Sequence, residues 1–336
     1  MNQRTHAWIA IRAIKLLKDE GKTENLVKLL EPYLRKAAIG AWIPDKRDAK
    51  VGGSRTENHI FKIKPYQGDS EARFILKRDE LIKHLGPERK LPGFLEGYKN
   101  ILTDEWWGKA YKADPEPGQH LANRAMSLAI NNIDMLILGD DQVQEMVPGK
   151  IDFIEEVDES TRVTSGQVAL FFYMLSHFIA DSLMPCHCDD RDLADYANGL
   201  HKELEGHWGK KVGTFFEDDN LSKNGLEADE IYEKAIAVDG KFSLSFENEV
   251  PDLKSNDVWW EIVVLCRGSF AVASIIAPPE KYLYKPDPQI MAPFETLFEQ
   301  DQQGRQLLEE VDKVVIHDAV LNVALIWKYI WSKFKK

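Results

Sequence analysis

The sequence predicts an all-α protein, and three observations carry that prediction. Apolar residues recur at helical spacing along most of the chain. Alternation suited to a strand or hairpin is read at one place, residues 242–250. Phosphate-cradling glycine loops, internal repeats and heptad arrays are absent, which argues against nucleotide-binding α/β folds, solenoids and coiled coils. The 336 residues, 44% hydrophobic and 10% aromatic, suffice for a sizeable core. We read residues 1–336 as a single domain.

Taken in order, residues 7–17 place Trp8, Ile9, Ile11, Ile14, Leu16 and Leu17 as a buried helix would. Residues 24–38 follow as a second helix with Leu26, Leu29, Leu30 and Leu34 on one stripe. Residues 44–54 read as a loop, with Gly52 and Gly53 as breakers. Residues 60–118 are less regular; proline/glycine knots at 86–93 and 114–118 bracket a shorter helical piece. Helical spacing returns over 120–138. A long helix is expected from Thr164 or Ser165, either of which has a capping side chain, through Val168, Leu170, Phe171 and Leu175 to Asp181. Pro185 keeps it from running on. Asn198-Gly199 marks a turn before another helix that begins close to His201. Two more helices are expected at 258–276 and 304–334, separated by a loop over 278–288.

The formal net charge of −12 disfavours broad nucleic-acid binding, so no stable nucleic-acid partner is expected. It is compatible with a small phosphate-bearing substrate at a metal site, where the ions dominate the local field. Three cysteines, Cys186, Cys188 and Cys266, cannot form a disulfide framework. The first 18 residues lack an uninterrupted apolar core with a small-residue cleavage site, so no signal peptide is expected. Residues 258–276 are apolar but interrupted by Glu261 and Arg267, which disfavours a membrane span. These readings lead to an expected location in the cytoplasm, or export by a non-classical route.

The chemistry concentrates in the histidines. His177 and Asp181 lie four apart on a predicted helix, as do His201 and Glu205, and such pairs share a helix face. His187 falls just past a helix end, where the chain can turn its ring back toward the same point. A lone histidine on an apolar face is more often a hydrogen-bonded core residue. Two His-x3-acid pairs joined by a third histidine point instead to a metal, and imidazole with carboxylate suits zinc. The spacing leaves the number of ions open.

The string His177-x3-Asp181-x5-His187, followed by His201-x3-Glu205, resembles the metal-binding core of the bacterial zinc-dependent phospholipases C. The same core is shared by their relatives, the fungal and plant single-strand-specific zinc nucleases. Residues 5–14 resemble the family's first helix, which opens with a ligand histidine, here His6. Gly40-Ala-Trp-Ile-Pro-Asp45 resembles the loop that delivers an aspartate ligand, and Asn58-His59 resembles the next ligand, fourteen positions on (59 − 45 = 14). Glu205, where the nucleases usually carry aspartate, places the chain nearer the phospholipase branch.

The resemblance implies a multihelical phospholipase C/zinc nuclease-type fold with a trinuclear zinc site. Residues 61–160 then form an insertion and 211–336 a helical C-terminal extension. It implies one zinc on Asp45, His59, His177 and Asp181, and a second on His187, His201 and Glu205. A third, shared with Asp181, takes His6 and the backbone of Met1, with a neutral amine as donor; the family has tryptophan at the terminal position. The implied activity is phosphodiester hydrolysis by a metal-activated hydroxide, with Asp45 as catalytic residue. The expected substrate is a phospholipid, cleaved to diacylglycerol and a phosphorylated head group, with transient membrane-surface contact. The alternative is a single-strand-specific nuclease or 3′-nucleotidase.

Other residues are given blander roles. Cys186 and Cys188 flank His187 but are not expected to be ligands. His207 is expected near the site or at the surface, and His84, His120 and His317 fall outside the pattern. Arg47 is a candidate phosphate contact set against a solvated loop arginine. Trp106-Trp107 and Trp259-Trp260 are expected in the core, and residues 314–336 as a packed terminal helix.

Overall fold

The computed structural model describes residues 1–46, 56–62, 64–65, 111–112, 121–149, 161–189, 199–216, 226–253, 257–276 and 302–334. It is mainly helical. The central helix, α1 (Gln3–Glu20), is buried almost all round because Trp8, Ile9, Ile11, Ile14, Leu16 and Leu17 occupy every face. Asn2 caps it by accepting from the Thr5 N–H at 3.0 Å. Gly21 ends it with φ +70°, a left-handed turn that suits glycine, and its N–H returns to the Leu17 carbonyl.

The expected second helix is broken. It runs as α2 (Glu24–Leu30), tightens to a 3-10 turn over Glu31–Lys36, and resumes as α3 (Ala37–Gly40). Pro32 lies at the start of that turn and has no N–H for an α-helical bond, so the ladder cannot continue unchanged. Residues 43–46 form a helical turn where a loop was expected; positions 47–54 of that loop lie outside the described residues. His59 closes a second 3-10 turn, Thr56–His59.

The remaining helices are α4 (Leu121–Ile137), α5 (Asp141–Met146), α6 (Ser165–Asp181), α7 (Pro185–Cys188), α8 (Leu200–Phe216), α9 (Ala228–Ile236), α10 (Val258–Ile276) and α11 (Gln302–Ser332). Thr164 and Gln167 start α6 with a full capping box. Pro185 stands at the first position of α7, so it ends one helix and opens another. Among the described residues the one strand ladder is a two-residue antiparallel pairing, Lys64–Pro65 with Tyr111–Lys112. Residues 242–250 do not form the expected strand. Phe242 ends a 3-10 turn and packs on Trp8, Phe246 stacks on His317, and Val250 is buried. The alternation there records separate core contacts rather than a pleat.

Helix α1 packs against α11, α8, α6 and α3, while α6 packs against α4 and α11. Thus α4, from the stretch expected to be an insertion, is part of the core. Helix α10 packs against α4 and α7. Asp312 on α11 is fully buried and accepts from His207 Nε2, Trp208 Nε1 and Lys211 Nζ of α8 at 2.6–2.7 Å. Arg12 forks onto Asp239, tying α1 to the 239–242 turn. Among the described residues one helix, Leu308–Ser332, is long and apolar enough to cross a membrane, but 89% of its apolar window is buried in the protein, as expected of a core helix.

Candidate metal centre

Six pieces of chain deliver nine groups to one place. His6 comes from the first turns of α1, Asp45 from the 43–46 turn and His59 from the second 3-10 turn. His177 and Asp181 share a face of α6, His187 sits in α7, and His201 and Glu205 share a face of α8. Met1 is held beside them because Asn2, while capping α1, also donates from Nδ2 to the Glu205 carbonyl at 2.8 Å. Gly40 lets the 40–45 segment lie against α6, since a Cβ there would stand 2.5 Å from that of Tyr173. The close approach brings the Ala41 carbonyl to His177.

Three ligand clusters result: His6, His177 and Asp181; Asp45, His59 and His177; and His187, His201 and Glu205. Asp181 lies between them. Its Oδ2 is 3.0 Å from both His59 Nδ1 and His177 Nε2. Its Oδ1 is 3.3 Å from His6 Nε2, 3.2 Å from the Met1 amine and 3.6 Å from His187 Nδ1. Asp45 Oδ1 is 3.5 Å from His177 Nε2 and 3.7 Å from His59 Nδ1. His201 Nε2 is 3.0 Å from His187 Nε2 and 3.2 Å from Glu205 Oε1. Two ligands held tetrahedrally at zinc distances stand roughly 3.3–3.5 Å apart. The observed separations bracket that value. One departure from the expected sharing is that His177 also stands with His6, their rings stacked at 4.1 Å.

The donor chemistry fits a cation. His177 Nδ1 lies 2.7 Å from the Ala41 carbonyl, which only accepts, so Nδ1 carries a proton and Nε2 turns inward. That nitrogen meets Asp181 Oδ2, Asp45 Oδ1 and, at 2.9 Å, His59 Nδ1. A single proton among them satisfies one contact at a time, whereas a divalent ion satisfies all of them. Both ring nitrogens of buried His6 and Nδ1 of His187 have no hydrogen-bond partner. The group is closed on one side and open on the other. The side chains of His6, His177 and Asp181 are at most 2% exposed, whereas Asp45 is 43%, His201 32% and Glu205 27% exposed.

Protonation states follow from the same setting. Burial, with the His177 ring and the Met1 amine, drives the His6 imidazole down to about 3. Burial likewise pushes His187 well below its usual value. Burial also acts on Asp181 and Glu205, in the upward direction, but is outweighed. His177, the Met1 amine, His187 and His6 hold Asp181 well below the carboxylate range, and the Met1 amine and His201 do the same for Glu205. Neutral imidazoles beside ionised carboxylates are the forms that bind metal. Burial raises Asp45, against the His177 and His59 rings. Burial opposes charging the Met1 amine, but Glu205 and Asp181 raise it to about 11. Without a metal it is therefore an ammonium rather than the neutral donor expected, and ligation would require displacing its proton.

These shifts predict a stability plateau in chelator. Below the ordinary histidine value of 6.5 the unfolded chain takes up protons that folded His6 refuses until about 3, so stability falls with falling pH. By about pH 5 His6 alone costs roughly 2 kcal/mol, at ~1.4 kcal/mol per pH unit, and His187 acts in the same direction. The amine contributes stability that is complete below 8.0 and lost as pH rises toward about 11. Urea unfolding across pH should therefore show its maximum between about 6.5 and 8. A maximum near pH 5 would contradict the assignment.

The other expected residues are dispersed. Cys186 and Cys188 are buried outside the clusters; the Cys188 thiol donates to the Ser182 carbonyl. His207 faces Asp312, and His317 stacks on Phe246. Trp259 and Trp260 pack half-buried against the core, with Trp259 Nε1 donating to Asn123. His84, His120, Arg47 and Trp106-Trp107 lie outside the described residues. Sequence reasoning missed the Ala41 carbonyl and Asn2. The first is a backbone group with no side-chain signal, and the second was legible as a helix cap.

No family model matches the chain, no curated protein matches it, and no solved structure matches it. Fold and site define a mainly helical protein whose clustered histidine and carboxylate groups could hold metal ions.

Proposed function

We propose that the chain is a zinc-dependent phosphodiester hydrolase of the phospholipase C type, with the corresponding multihelical fold and three zinc ions. The observation that carries this reading is Asp181, a buried carboxylate whose two oxygens face different sets of ligands. A structural zinc site needs a single closed set of four ligands, whereas shared carboxylates mark multinuclear hydrolytic centres. The order and spacing of the nine groups along the chain support the same conclusion.

Zinc ions bound here would supply water activation and charge neutralisation at a phosphate. The protein does the rest. His177, locked by Ala41, and Asp181, buried and ionised, set the floor of the site. Asp45 stands at the open edge with its carboxyl raised by burial, placed to orient an attacking water or take up its proton. The half-exposed flank of Asp45, His201 and Glu205 admits substrate from solvent.

The test is hydrolysis of phosphatidylcholine vesicles and of single-stranded DNA, each with and without EDTA and with zinc restored. Phosphatidylcholine should turn over, stop with chelator and recover with zinc. Turnover of DNA alone would replace the lipase reading with the nuclease one. Turnover of neither, with zinc retained, would assign the metal a structural role.

A further inference from the structure

Lys62 lies outside every ligand cluster, yet it joins two of them. The short helix α7 has only four residues, so its last carbonyls lack partners within the helix. Segment 59–62 supplies them. Lys62 Nζ donates to the Cys186 carbonyl at 2.9 Å and to the Asp189 carbonyl at 2.7 Å. Between them the Phe61 N–H donates to the His187 carbonyl at 2.9 Å. Three hydrogen bonds thus stitch the chain just after His59 to the chain on both sides of His187. A cation is well suited to that position, because it meets several carbonyls at the negative end of a helix.

His59 belongs with Asp45 and His177, while His187 belongs with His201 and Glu205. Both rings border Asp181, at 3.0 and 3.6 Å. The stitch therefore spans the two ligand groups. We infer that Lys62 is a positioning residue that sets the spacing between the two metal positions by clamping the His187 turn to the His59 segment. This rests on the reading of the clusters as a metal centre. It goes beyond that reading by giving a role to a residue that touches neither metal ligand nor substrate.

The experiment is cobalt titration of metal-stripped wild type, Lys62→Met and Lys62→Arg. It follows the visible cobalt bands and affinity, with zinc-restored activity and melting temperature alongside. Lys62→Met keeps the apolar stem but cannot donate. It should bind cobalt ~10- to 100-fold more weakly, as when a supporting group behind a metal ligand is lost, with altered bands and lowered kcat. Lys62→Arg, which can fork onto both carbonyls, should return affinity and bands to near the wild-type values. If Lys62→Met does not fold, Lys62→Gln, whose shorter, uncharged amide cannot span both carbonyls, is scored on the same bands and affinity and should show the same weakening. Wild-type affinity and bands in the Met or Gln variant would overturn the proposal, even if the melting temperature falls. Failure of wild type to take up cobalt would instead overturn the metal reading beneath it.

Discussion

Asp181→Asn should empty the site. Asparagine keeps the size of the side chain but replaces an ionised carboxylate with a neutral amide, one end of which now presents N–H donors. Five groups depend on that carboxylate: the Met1 amine, His6, His59, His177 and His187. At most 2% of the side chain is exposed, so water cannot take its place. Zinc content should fall to background, and hydrolysis should drop by ~10³-fold or more, the scale seen when a principal electrostatic group leaves an active site. Unfolding in chelator should also become easier, by roughly 1–3 kcal/mol, because the buried amine is left with Glu205 as its one carboxylate partner. Elemental analysis and urea denaturation read these effects separately. A variant that kept its zinc would show that Asp181 is not shared between ions.

Metal removal is the second large effect. Ionised Asp181 and Glu205 and the imidazoles of His6 and His187 are brought together at the expense of burial, and a bound cation offsets it. A site filled at a thousandfold above its Kd stabilises the fold by ~4 kcal/mol. At ~2 °C per kcal/mol for a chain of this size, EDTA should lower the melting temperature by about 8 °C for each site emptied. Zinc should restore it in steps. A melting temperature indifferent to EDTA would leave unexplained why the buried nitrogens of His6 make no well-formed hydrogen bond.

The helices that carry ligands were legible because their signals are local. Thr164 caps α6 as expected, and the His177/Asp181 and His201/Glu205 pairs follow from helical geometry alone. The 24–38 segment was misread because one proline outweighs a leucine stripe, and 242–250 because alternating burial need not mean a sheet. What the sequence did not disclose is the support behind the ligands. The Ala41 carbonyl, the Gly40 contact with Tyr173 and the Lys62 clamp all engage backbone, and backbone atoms are alike at every position. Nor was the charge on the Met1 amine foreseeable, since it depends on how closely Glu205 and Asp181 approach it.

On this reading the histidines and carboxylates around Asp181 surround metal. Crystals of the zinc-loaded protein, measured on both sides of the zinc absorption edge, test it most directly. Anomalous peaks are expected on either side of the Asp181 carboxylate. One should lie toward His59 and His177, another toward His6, and a further one within reach of His187, His201 and Glu205. An anomalous map with no peak among these residues, from protein that elemental analysis finds free of zinc, would contradict it.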